Sequence, residues 1–181
     1  MCFSKWIKAW RKRRRDRIYE GPSAEIDGGT RICHDTDAPK DILSHEILRF
    51  SCRFSSSSLL EEDTNLTSGL FHFTAEKREE GAETSVSVLH SRRGEINQAK
   101  MRPSCFLEEI NGILQKHDIA RFNGLYYKVS GLPDFFGASV SVTYASGETL
   151  DCYNNQDPFL PLAFIIALCQ AYGIEKEVEI Q

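Results

Sequence analysis

The chain of 181 residues lacks a long hydrophobic run. Its longest apolar stretch covers residues 159–169, which is short of the ~20 residues that a helix needs to span a bilayer. Near the start of the sequence the aromatic residues come first and the charges follow, so the run of roughly 7–15 apolar residues that marks a secretory signal is also missing. The sequence therefore predicts a cytoplasmic protein without a transmembrane helix.

Cysteine pairs at metal-binding or redox spacing are missing too. None of the six cysteines belongs to a Cys-x-x-Cys pair, and four of them lie within apolar patterns, where cysteine behaves as a small buried hydrophobe. A disulfide framework is typical of shorter, loop-rich secreted chains, so we expect reduced thiols. Cys105 is the best candidate for a nucleophile, because it lies near the start of a predicted helix with Arg102 close by, and both features lower the pKa of a thiol.

No Gly-x-Ser-x-Gly, Walker or dinucleotide-binding motif occurs, so the sequence predicts no catalytic residue and no cofactor. The triplet Cys33-His34-Asp35, with Asp37 and His45 nearby, is the one arrangement that could seed a metal site. Zinc ligands usually come in pairs two to four residues apart on a rigid turn, whereas these residues are contiguous and lie in an apparent linker. A polar loop without a metal is therefore the favoured interpretation.

The sequence does have a strong charge asymmetry. Residues 1–17 contain eight Lys or Arg and one acid, which gives a net charge of +7. The other 164 residues keep fourteen of the 22 basic residues and twenty-five of the 26 acidic ones, which gives −11. An acidic body with a basic extension favours attachment of the extension to an anionic surface. The acidic body itself argues against a nucleic-acid-binding core.

Hydrophobic periodicity predicts the fold of the body. Period-two alternation predicts strands around residues 48–54, 70–75, 86–88, 122–129, 140–144 and 149–153. Apolar spacings of three and four predict a helix over 104–117, and a second helix over 158–172 is apolar nearly all round. Because short turns join the strands, we expect a two-layer α+β domain with a mainly antiparallel sheet of about five to six strands and two helices packed on one face.

Composition divides the chain into three parts. Residues 1–18 form a basic amphipathic arm with helical spacing, and residues 19–40 are rich in Gly, Pro, Asp and Thr, which is typical of a linker or loop. Residues 41–181 are predicted to be the globular α+β domain.

Two histidines lie on strands that are predicted to form one hairpin. His72 alternates with phenylalanines that face the core, so it is expected on the outer face. His90 has the same parity as the valines of its strand, so it is expected on the inner face. The alternation therefore predicts one surface histidine and one core histidine, and no shared site.

The segment from about Ile113 to Gly173 contains a helix, IARFNG, a short loop, VSVTYASGE, an Asn-rich turn and a closing helix. In these features it resembles the C-terminal part of uncharacterised proteins of gut Firmicutes. The resemblance covers about a third of the chain and consists mainly of fold-level features. It implies a bacterial protein of that kind and supplies no catalytic or binding residue.

The basic arm contains the residues that we expect to bind an anionic surface. Phe3, Trp6, Ile7 and Trp10 fall on one face at helical spacing, and basic residues cover most of the rest. The predicted binding residues are Lys5, Trp6, Lys8, Trp10, Arg11, Lys12, Arg13, Arg14 and Arg15.

Three interpretations of the arm remain open from the sequence. It could bind an anionic membrane, or bind nucleic-acid phosphate without sequence readout. In the third, it docks on a protein, or it merely repels other charges and stays disordered. The aromatic residues cluster at one end of the arm instead of alternating with the basic ones, which favours a membrane over nucleic acid. We therefore expect a small non-enzymatic interaction protein whose arm docks on an anionic membrane or partner. The alternatives are an enzyme with a site assembled from scattered residues and a non-specific nucleic-acid binder.

Overall fold

The structure, a computed structural model, describes residues 30–56, 69–90, 94–130, 137–156 and 159–174. Within these ranges the strands are β1 (Thr30–His34), β2 (Ile47–Ser55), β3 (Gly69–Arg78), β4 (Gly81–His90), β5 (Gly94–Arg102), β6 (Leu125–Val129), β7 (Ala138–Tyr144) and β8 (Thr149–Asn154). The α-helices are α1 (Cys105–Lys116) and α2 (Leu162–Tyr172), and a short 3-10 helix covers Ile119–Phe122.

The eight strands form one sheet with the order β1-β6-β8-β7-β2-β3-β4-β5. Every neighbouring pair is antiparallel except β6 and β8, which are parallel. The predicted α+β class and the mainly antiparallel sheet are therefore confirmed. The predicted number of five to six strands is too low, because the sheet also contains β1 and β5.

Both additional strands lie at the ends of the sheet. Each described side chain of β5 from Glu95 to Met101 is exposed, so no period-two alternation marks that strand. Strand β1 lies within residues 19–40, where the composition predicts a linker or loop. It pairs with β6 through five residues, so the linker prediction does not hold at residues 30–34.

The core lies between the helices and one face of the sheet. Buried side chains alternate along the central strands, as at Phe50, Cys52 and Phe54 of β2, and they join buried residues of both helices in a single cluster. Tyr172 of α2 contacts Phe73 of β3 at a ring-centroid distance of 4.8 Å and Phe106 of α1 at 5.1 Å. The two helices therefore cover the same face of the sheet, and no described helix lies on the opposite face.

Helix α2 begins four residues later than the sequence predicts. Pro161 adopts an extended conformation with ψ 135° and precedes the first helical residue, Leu162. A residue before proline is disfavoured in the helical conformation, so Leu160 cannot readily continue a helix from position 158. The predicted end is correct, since Gly173 caps α2 with a left-handed φ of 75°.

Candidate functional site

The residues predicted to bind an anionic surface lie outside the described part of the chain. All nine belong to residues 5–15, and the structure describes residues from 30 onward.

The face of the sheet opposite the helices is lined by small hydroxyl side chains, and we call it the polar face. It is defined by Ser51, Arg53, His72, Thr74, Ser85, Ser87, Ser139 and Ser141. These residues alternate with the buried residues of the same strands. All of them except Ser141, which is exposed, are half-buried.

One line of paired residues crosses seven strands on this face. Cross-strand partners share a face of the sheet and have Cβ atoms about 4.5–5.5 Å apart, so the register places these side chains side by side. In spatial order they are Tyr126, Tyr153, Ser139, Arg53, His72, Ser87 and Asn97. The rings of the two tyrosines stack with a centroid distance of 5.1 Å and an interplanar angle of 23°.

His72 lies near the centre of the polar face, as the alternation of its strand predicts. Its Nε2 shares a hydrogen bond of 3.0 Å with Oγ of Ser51 on the neighbouring strand. Partial burial lowers the pKa of His72, and the positive charge of Arg53 lowers it further. His72 is therefore kept in its neutral form to a lower pH than a free imidazole.

The Ser51–His72 pair has two of the three groups of a nucleophilic triad. A serine nucleophile needs a base whose other ring nitrogen is oriented by a third group. Among the described residues, Nδ1 of His72 has no hydrogen-bond partner. The pair as described can hold a polar ligand, but it lacks the group that orients a catalytic imidazole.

Arg53 differs from its neighbour Arg49 on the same strand and face. Nε of Arg49 donates to Oε1 of Glu76 at 3.1 Å. Arg53 faces His72 on one side and Ser139 on the other. Neither its guanidinium nor the Ser139 hydroxyl has a hydrogen-bond partner among the described residues. Within the part of the chain that the structure describes, the centre of the polar face therefore holds a half-buried cation that pairs with no carboxylate.

The residues that were considered as a metal site do not form one cluster in the described part of the chain. Asp35, of the triplet considered as a metal site, accepts a hydrogen bond at 3.1 Å from the backbone N–H of Asp37, a local turn contact. Nδ1 of His45 lies 3.0 Å from Nε2 of Gln115. In the part of the chain that the structure describes, no group of three or more His, Cys, Asp or Glu could hold a metal ion.

The described cysteines are free thiols in two environments. Cys105 is exposed at the start of α1, whereas Cys52, Cys152 and Cys169 are buried in the core. Burial raises the pKa of Cys52 well above its ordinary value and raises the pKa of Cys152 and of Cys169 to about 12. The three core thiols are therefore held in the unreactive protonated form.

The sequence predicted the outward position of His72 but missed its neighbours. Ser51 and Arg53 occupy the outward positions of a clearly periodic strand. Their position in that alternation was the sequence feature that could have placed them on the same face as His72. Their contact with His72 depends on the register between β2 and β3, which no local pattern specifies.

Comparison of the chain with protein-family models, with curated proteins and with solved structures found no match. A search of the described helices for one with the length and hydropathy needed to cross a bilayer also found none.

Proposed function

We propose that this is a small interaction protein whose basic segment, residues 1–17, binds the surface of an anionic membrane. The observation that carries the proposal is the charge of +7 in this segment against −11 in the rest of the chain. Near anionic lipids each Lys or Arg contributes ~1 kcal/mol of binding free energy. Trp6 and Trp10 suit the boundary between headgroups and acyl chains.

Several basic residues of the body are paired with carboxylates, which supports the view that the excess positive charge lies in residues 1–17. Arg49 pairs with Glu76, Lys77 pairs with Glu46, and Arg78 pairs with Glu83 at 2.6 Å. Such exposed pairs contribute little to stability, but each carboxylate offsets the charge of its cation. An anionic surface would repel the acidic body, so attachment is expected through residues 1–17 alone.

Tryptophan fluorescence tests the proposal directly, because the two tryptophans of the chain both lie in the basic segment. The full-length protein is titrated with vesicles of phosphatidylcholine, with and without phosphatidylserine. We expect a saturable blue shift with the anionic vesicles alone, weakened by added salt, which screens the attraction. Equal binding to both kinds of vesicle would contradict an electrostatic attachment.

A pair of matched variants locates the binding. The variant K12Q/R13Q/R14Q/R15Q removes four positive charges from the segment and is expected to lose ~4 kcal/mol, roughly a thousandfold in affinity. The control, R49Q/K77Q/K100Q/K116Q, removes four charges from exposed positions of the body and is expected to bind as the wild type does. Equal losses in both variants would reject a role specific to the segment.

The same proteins distinguish the other two partners. A mobility shift with random-sequence duplex DNA, combined with no binding to anionic vesicles, would replace the membrane with nucleic acid. Binding to neither vesicles nor duplex would reject the membrane proposal and leave a segment that binds a protein or has no partner.

A further inference from the structure

The centre of the polar face presents hydrogen-bond donors that have no acceptor within the described ranges. Arg53 carries up to five N–H donors, and Ser139 adds a hydroxyl on the adjacent position of β7. Neither has a partner among the described residues. A half-buried cation is costly when it lacks a counter-charge or hydrogen bonds, so a ligand that supplies both would be bound favourably.

The described carboxylates that lie nearest to Arg53 in the strand register already form hydrogen bonds or ion pairs with other side chains. On β8, Asp151 accepts a hydrogen bond of 2.6 Å from Ser141, and on β5, Glu95 accepts one of 3.1 Å from Ser87. Glu76 is bound to Arg49. The described carboxylates on this face therefore pair with other groups, and none of them pairs with Arg53, which lies between β3 and β7.

We propose that Arg53, His72, Ser51 and Ser139 form a binding site for a phosphate group, either the free anion or a monoester. The guanidinium fork matches two oxygens of a phosphate. The serine hydroxyls donate to further oxygens, and the imidazole of His72 becomes a donor when it is protonated. This site lies on the body of the protein and is independent of the basic segment proposed to bind membranes.

The stacked tyrosines suggest which side of the site an ester group would occupy. Tyr153 is the cross-strand neighbour of Ser139, and its ring stacks on that of Tyr126. An aromatic group attached to the phosphate would contact these rings, whereas the opposite side leads to Ser87 and Asn97. Inorganic phosphate and phenyl phosphate are therefore the two probes of the site.

Titration of the full-length protein with each probe tests the proposal, followed by NMR at the imidazole of His72 and at constant ionic strength. We expect a saturable shift of the His72 resonance, and a rise in its pKa, because the bound anion offsets the charge of Arg53, the charged group that faces His72. Equal affinities for the two probes would identify the phosphate group alone as the ligand. Tighter binding of phenyl phosphate would identify a monoester.

Arg49 provides the matched control, since it lies four residues from Arg53 on the same strand and face. We expect R53Q to weaken binding by about tenfold or more through loss of the charged hydrogen bonds, and R49Q to leave it unchanged. R53K, which keeps the charge but loses the fork, is expected to give a smaller loss and serves if R53Q does not fold. Equal affinities of the wild type and both Arg53 variants would overturn the proposal, as would a shift at His72 that never saturates.

The two proposals can fail separately. K12Q/R13Q/R14Q/R15Q is expected to keep the phosphate-dependent shift at His72 and to lose vesicle binding. R53Q is expected to show the reverse. Loss of the His72 shift in the K12Q/R13Q/R14Q/R15Q variant would place the phosphate on residues 1–17 and would overturn the site on the polar face.

Discussion

The side chain of Asn155 is hydrogen-bonded twice to the backbone of Val129. Its Oδ1 accepts from the Val129 N–H at 2.9 Å, and its Nδ2 donates to the Val129 carbonyl at 3.0 Å. Strands β6 and β8 pair in parallel through two residue pairs. The amide of Asn155, which is 1% exposed, therefore continues the β6–β8 contact beyond the last backbone pair.

We predict that Asn155→Ala lowers the free energy of unfolding by about 2–4 kcal/mol, because two backbone groups of the half-buried Val129 lose a partner at about 1–2 kcal/mol each, the lower part of the range for a fully buried group. Urea unfolding followed by circular dichroism measures the change. Asn97→Ala, at an exposed position of β5, is the control and is expected to stay within about 0.5 kcal/mol of the wild type. Similar losses in the two variants would show that the double hydrogen bond is not what stabilises this region.

The sequence predicted elements that bury one side and missed those that do not. Strand β2 and helix α1 have a buried face each, so an apolar period of two or of three to four marks them. Strand β5 is exposed along its described side chains, and nothing in its composition distinguishes it from a loop. Asn155 lies in an Asn-rich stretch that predicts only a turn, since its two hydrogen bonds depend on a distant strand.

For the candidate site on the polar face, the sequence is again informative only about features that local alternation specifies. Alternation within β2 and β3 is enough to place Arg53 and His72 on the outer face. Their direct opposition also needs the register of the two strands, which are joined through residues 57–68, outside the described part of the chain. The sequence therefore predicts which face of the sheet a residue lies on, but not which residues lie beside it on the neighbouring strands.

Two glycines are predicted to respond in opposite directions to alanine. A Cβ on Gly137 would lie 1.8 Å from the carbonyl oxygen of Asn154, a backbone atom that cannot move aside without shifting β8. Gly137→Ala is therefore expected to cost at least about 2–3 kcal/mol. A Cβ on Gly112 meets nothing within 4 Å, and Gly112 is an exposed residue of α1, so Gly112→Ala is expected to stabilise the protein by about 0.5–1 kcal/mol.

Thermal unfolding of the two variants side by side measures these changes. Stabilisation by Gly137→Ala would show that β7 and β8 do not approach as closely as described. Destabilisation by Gly112→Ala would indicate that the exposed face of α1 contacts another part of the chain.

The described thiols are predicted to differ sharply in reactivity. Under native conditions iodoacetamide should modify Cys105, which is exposed, and should spare Cys52, Cys152 and Cys169, whose burial excludes the reagent and raises the thiol pKa. Peptide mass spectrometry identifies each modified cysteine. In denaturant all four should react, which serves as the positive control. Rapid native labelling of Cys52 would contradict its place in the core.

The depressed pKa of His72 predicts how stability depends on pH. In the unfolded chain its imidazole titrates near the ordinary value of about 6.5, while in the folded protein burial and Arg53 lower the pKa. Above the unfolded value both states are neutral, and His72 makes no pH-dependent contribution. As the pH falls below it, the unfolded state binds the proton first, so the folded state loses stability until its own His72 is protonated.

His72→Gln isolates this effect, because glutamine can still form a hydrogen bond with Ser51 but does not titrate. The free energy of unfolding of the wild type minus that of the variant should decrease as the pH falls below about 6.5, with a slope of at most about 1.4 kcal/mol per pH unit for one proton. Urea unfolding in buffers without phosphate measures the difference, since a bound anion would offset the charge of Arg53 and reduce the effect. A difference that increases toward acid pH would mean that the folded protein favours the charged imidazole, and would require an acid group beside His72.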